Sequence, residues 1–89
     1  MPKIDEDLNN ILILLEDLIG DQSIPRNLRK SVNEAKERLN NKKEGLDLRV
    51  AGAIFILEEL VNDPSLPIHA RGSIFTIIGK LEALSSSLS

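Results

Sequence analysis

Cysteine, tryptophan and tyrosine are absent from this chain of 89 residues, and Phe55 and Phe75 are its only aromatic side chains. The missing thiols exclude a disulfide framework and thiolate zinc ligation. The missing Trp and Tyr remove the residues that most often anchor binding hot spots, and two rings make a poor base-stacking platform. An interior can therefore be assembled only from Leu, Ile, Val and Ala, with hydrophobic residues at 42% of the chain. No run approaches the roughly 18 uninterrupted apolar residues that a membrane span needs. Met1–Asp7 is acidic and lacks the basic-then-apolar order of a secretory signal. These two absences lead to the expectation of a soluble, cytoplasmic protein with no membrane contact.

Recognisable catalytic patterns are missing as well. The five glycines are dispersed and form neither a Walker pattern nor G-x-G-x-x-G. There is no Glu-x-x-His pair of the kind that di-iron bundles use. Ser31 has no histidine at a helical-face spacing that would make a nucleophile–base pair. No catalytic, cofactor or metal residue is assigned, and the chain is read as a non-enzyme.

What is present is a repeat. Leu15–Leu39 laid over Leu57–Leu81, at an interval of 42 residues, gives nine identities in 25 positions. Among them are Leu15/Leu57, Asp21/Asp63, Ser23/Ser65, Pro25/Pro67, Arg29/Arg71 and Leu39/Leu81. A period of this length belongs to helical hairpins. The expected fold is all-α: a four-helix bundle of two tandem hairpins with pseudo-twofold symmetry, repeat 1 about 5–42 and repeat 2 about 46–84. A closed bundle covers the apolar faces that an open pair of hairpins would leave bare.

Apolar spacing places the helices. Helix 1 is expected over about 5–19, with Leu8, Ile11, Leu12, Leu15 and Ile19 inward and Gly20 ending it in a left-handed conformation. Helix 2 starts near Ser23–Pro25, Ser as its N-cap, and carries the narrow stripe Leu28, Val32, Ala35 and Leu39. Asn40–Gly45 is the linker. Helix 3, capped by Asp47 and reaching Asn62, has apolar residues nearly all round and is expected to be the most buried. Helix 4 repeats the Ser-x-Pro start and runs to about Leu84, with 85–89 frayed. Gly52, Gly72 and Gly79 fall inside helices, where glycine is costly, and suggest close backbone crossings.

Four sets of residues could carry function. Asp21 with Arg29, and Asp63 with Arg71, could pair across the hairpin turns; their duplication favours a structural lock over an anion clamp. Phe55, Ile56, Phe75 and Ile77 exceed what one bundle interior can take and form a candidate protein interface, to a partner or a second copy. Residues 26–43 carry a net +5 in a chain of net charge −3, so Arg26, Lys30, Lys36, Arg38, Lys42 and Lys43 are candidate RNA contacts, although no aromatic interleaves with them. The plainer reading of that segment is a solvated helix, with Glu34–Arg38 as an i,i+4 pair. Finally, His69 could serve as a base oriented by Asp63. Glu16, Asp17, Glu58 and Glu59 read as a solvated edge.

The doubled stretch Leu-Glu-Asp-Leu-Ile-Gly-Asp-Gln-Ser-Ile-Pro-Arg-Asn-Leu-Arg (15–29) and Leu-Glu-Glu-Leu-Val-Asn-Asp-Pro-Ser-Leu-Pro-Ile-His-Ala-Arg (57–71) resembles a small archaeal family catalogued as uncharacterised, number 0147. The resemblance implies a compact four-helix bundle in an archaeal cytoplasm. It supplies no activity and no catalytic residue.

Overall fold

The computed structural model describes residues 3–88, in four helices: α1 (Lys3–Ile19), α2 (Arg26–Leu39), α3 (Leu46–Val61) and α4 (Ile68–Leu88). Met1, Pro2 and Ser89 lie outside the described residues, the last of them in the expected frayed tail. No strand occurs among the described residues. Each helix packs against its neighbours in the chain, and α4 packs back on α1, so the four elements form a closed ring. The Cα radius of gyration is 12.4 Å, against about 12 Å for a compact chain of this length.

Periodicity explains each buried face. In α2 the spacing Leu28, Val32, Ala35, Leu39 keeps one line of the helix inward, and all four are buried. Basic Lys36 and Arg38 in its last turn suit the negative end of the helix dipole. α1 buries Ile11, Leu15 and Leu18, α3 buries Val50, Ala53, Leu57 and Leu60, and α4 buries Ala70, Ile74, Ile77, Ile78, Leu81 and Leu84. Ile24 and Leu66, in the turns before α2 and α4, plug the ends of this core. Among the described residues no polar or charged residue is buried with them. The buried positions recur at the 42-residue interval, as in Ile11/Ala53, Leu18/Leu60, Ile24/Leu66, Val32/Ile74 and Leu39/Leu81.

Several expectations need correction. Helix α3 is not buried all round, because Leu48, Ala51 and Phe55 are exposed on the face away from the ring. No described residue, Gly20 included, has a positive φ; α1 simply ends with the Gly20 N–H donating to the Glu16 carbonyl (3.0 Å). Ser23 is not the cap of α2, whose N-cap is Pro25, and Asp47 lies inside the first turn of α3 after the cap Gly45. α4 continues to Leu88, since Leu88 still packs against the core. The helical glycines do not mark backbone crossings. A Cβ at Gly72 or Gly79 would meet nothing within 4 Å, and at Gly52 it would meet the Arg38 side chain at 2.7 Å.

Candidate functional site

The three turns between helices share one construction. In each, an Asx residue leads the turn, its own N–H donates back to the preceding helix, and its carbonyl accepts from the residue three further on: Ile24 N to Asp21 O (3.1 Å), Glu44 N to Asn41 O (3.2 Å), Leu66 N to Asp63 O (3.1 Å). The Asx side chain then accepts an N–H two residues along, Ser23 N to Asp21 Oδ1 (2.9 Å), Lys43 N to Asn41 Oδ1 (3.2 Å) and Ser65 N to Asp63 Oδ1 (2.8 Å). This is the local Asx turn that competes with helix and stops it.

An arginine in the following helix closes each turn. Arg29 Nε donates to the Ile24 carbonyl (3.0 Å), Arg49 Nε to the Leu39 carbonyl (2.8 Å), and the Arg71 guanidinium to the Asp63 carbonyl (3.2 Å). The expected ion pairs Asp21–Arg29 and Asp63–Arg71 do not form. Each partner locks its turn separately, the acid through an N–H and the arginine through a carbonyl, because main-chain groups freed at helix ends need partners more than exposed charges need each other.

At one end of the ring, His69 reaches across to the other hairpin. Its Nε2 lies 2.9 Å from Asp21 Oδ2 and 3.2 Å from Ser23 Oγ, and the Ser23 hydroxyl donates to Asp21 Oδ1 (2.6 Å). The carboxylate that holds His69 is therefore Asp21, not Asp63. The Ser23 hydroxyl and N–H and the His69 ring hold the Asp21 carboxyl down to about 2, the Ser23 hydroxyl contributing most. Below this cluster a cleft of about 280 Å³ runs between α1 and α4, lined by Leu14, Asp17, Leu18, Asp21, His69, Ser73, Thr76 and Ile77. Ser, His and Asp meet here, but they do not make a nucleophile–base pair. One ring nitrogen faces both partners, and the Ser23 hydroxyl donates to Asp21 rather than to that nitrogen. Among the described residues no group of three His, Cys, Asp or Glu is placed to hold a metal ion.

The basic residues of positions 26–43 are divided among different surroundings. Lys36 is committed to Glu16 of α1 (2.6 Å) and Arg38 to Glu44 (3.0 Å), not to Glu34. Arg26 and Lys30 line a groove of about 670 Å³ with Ile19, Asn27, Arg29 and Asn33. Lys42 and Lys43 are exposed in the turn at the opposite end of α2. The candidate interface also divides. Phe55 (61% exposed) and Phe75 (55%) stand in solvent with Leu48 and Ile68, whereas Ile77 is in the core and Ile56 is half-buried against it. Ile77 follows the inward line of Ile74 and Leu81, so it was never free to face outward.

The sequence profile of the uncharacterised protein family UPF0147 matches residues 1–84. The chain belongs to that family. A UPF0147 protein of Thermoplasma acidophilum is 43% identical over 88 residues, covering 98% of this chain and all of the relative. A UPF0147 protein of Pyrococcus furiosus is 40% identical over 85 residues, with 94% and 91% covered. The crystal structure of a family member from Thermoplasma acidophilum matches with a TM-score of 0.87 at 43% identity, over 93% of this chain and 99% of that one. A crystal structure of a second protein of unknown function matches with a TM-score of 0.85 at 38% identity, over 88% and 89%.

In this UPF0147 protein the middle turn is the part that sequence reading passed over as a mere linker. A signal for it exists: Asp21 to Arg29, Asn41 to Arg49 and Asp63 to Arg71 are all eight residues apart. It was masked by two changes. Glu44 stands where the other turns have buried Ile24 and Leu66, and Gly45 stands where they have Pro25 and Pro67. The Glu44 side chain would be unpaired at the core edge without Arg38, whose guanidinium lies across α3 at Gly52.

Proposed function

We propose that this protein is a non-enzymatic, cytoplasmic interaction module that binds a protein partner through the outer faces of α3 and α4. The observation that carries this reading is the exposure of both aromatic rings. The chain has two phenylalanines, and Phe55 and Phe75 both stand in solvent while the core is wholly aliphatic. Exposed large rings on adjacent helices favour an interface over a packing role. We also infer that the scaffold is a duplicated hairpin with pseudo-twofold symmetry. The interval in its buried positions and the likeness of the turns before α2 and α4 support that inference.

RNA contact through α2 is the second reading. It draws on Arg26 and Lys30 in the groove with Arg29, but the remaining uncommitted cations, Lys42 and Lys43, lie a helix length away, about 20 Å.

One experiment separates the readings. A photo-crosslinking residue at position 55, 75 or 34 is introduced and activated in native cytosol, with and without ribonuclease. The interaction reading expects the same protein from 55 and 75 and none from 34, insensitive to ribonuclease. Phe55→Ser and Phe75→Ser variants should meanwhile unfold within about 1 kcal/mol of wild type. A large loss of stability in either variant, or equal crosslinks from 34, would sink it. Ribonuclease-sensitive association lost in Arg26→Glu/Lys30→Glu would favour RNA.

A further inference from the structure

The chemistry around the two rings narrows the kind of partner. Phe55 and Leu48 are two turns apart on α3, and Phe75 and Ile68 two turns apart on α4, so each helix offers anchors about 10 Å apart. Glu58 and Glu59 follow Phe55 by one turn, and Glu82 follows Phe75 by two, which places all three beside the apolar anchors. The three carboxylates are exposed and take part in no ion pair with a described residue. Among the described residues no cation on this face is paired with them. Arg49 and Arg71 are spent on the Leu39 and Asp63 carbonyls, and Lys80 lies on the α1 side of α4, in a cleft with Asp7 and Asn10. Open space over Gly72 and Gly79, on either side of Phe75, lets another backbone come close to α4.

Resting on the interaction face proposed above, we infer that its occupant is a basic amphipathic helix. Apolar side chains at i and i+7 would sit on the rings, and flanking Lys or Arg would meet Glu58, Glu59 and Glu82. A second copy of this chain fits less well, because an isologous contact sets one acidic rim near the other.

Fluorescence anisotropy with synthetic labelled peptides tests this on the full chain. The probe is a Leu/Lys peptide with leucines on one helical face; the controls are the same composition in scrambled order and a Lys→Glu version. Saturable binding of the ordered basic peptide alone is expected. It should weaken at least tenfold in Phe55→Ser/Phe75→Ser, and as much in Glu58→Lys/Glu59→Lys/Glu82→Lys, with helical circular dichroism unchanged in both. Equal binding of the scrambled peptide overturns the proposal, since charge alone then suffices. Preference for the acidic peptide, lost in the Phe double variant, overturns the basic partner and leaves the interaction face standing. If no peptide binds, sedimentation decides the rest: a dimer abolished by the Phe double variant assigns the face to a second copy, and a monomer throughout removes the face as well.

Discussion

Gly52, Gly72 and Gly79 occupy similar places in their helices but for different reasons. Glycine in a helix interior costs about 0.5–1 kcal/mol relative to alanine because it gives up the most backbone freedom. At Gly72 and Gly79 a methyl group would enter open space. Each Gly→Ala change there should stabilise the chain by that amount, raising the melting temperature by about 4–8 °C per kcal/mol. At Gly52 the methyl would displace the Arg38 guanidinium from its place beside Glu44. Gly52→Ala should therefore gain little or nothing, and thermal melts of the three variants check the contrast. The same local logic shows why the exposed rings were only half legible. Helical spacing tells which residues share a line, so Phe75 was placed off the core line of α4. It does not tell how wide a stripe the neighbouring helices will cover, which is why Ile77, expected at the interface, lies in the core.

At the scale of the elements, helix limits were readable to within a few residues, because apolar period and turn residues both act locally. The pairing of turn residues was not. Asp21 and Arg29 looked like an ion pair in sequence, yet each serves a different main-chain group. An arginine that donates to a main-chain carbonyl contributes about 1.5–3 kcal/mol, as hydrogen bonds from charged groups do. Arg29→Ala, Arg49→Ala and Arg71→Ala should each lower the urea midpoint by an amount in that range with an unchanged slope. Asp21→Ala should act on the turn independently of Arg29→Ala, so the double variant is additive. Strong coupling between them would restore the ion-pair view.

For the whole molecule, His69 on Asp21 ties α4 to the turn after α1 at one end of the ring. Asn27 stands 42 residues before His69, and its amide carries no charge to offer a carboxylate. The carboxyl of Asp21 is lowered to about 2 from its ordinary 3.8. A group with a depressed folded value stabilises above its ordinary value and loses that contribution as acid carries the pH through the folded one. The stability difference between wild type and Asp21→Asn should therefore shrink as the pH falls from about 4 to about 2, read from melts across that range. In His69→Ala the Asp21 carboxyl should titrate closer to 3.8 by carbon-detected NMR, because one of its three donors is gone.

The sequence by itself determined the helices, the doubled pattern and an aliphatic interior, since each follows from spacing along a chain that folds locally with a 3.6-residue period. Tertiary structure alone decided that α4 returns to α1, that His69 meets Asp21 rather than Asp63, that Lys36 and Arg38 are tied to acids, and that both rings stay in solvent. Those outcomes depend on which faces of distant segments come together, and one-dimensional spacing holds no information about the rotation of one helix against the next.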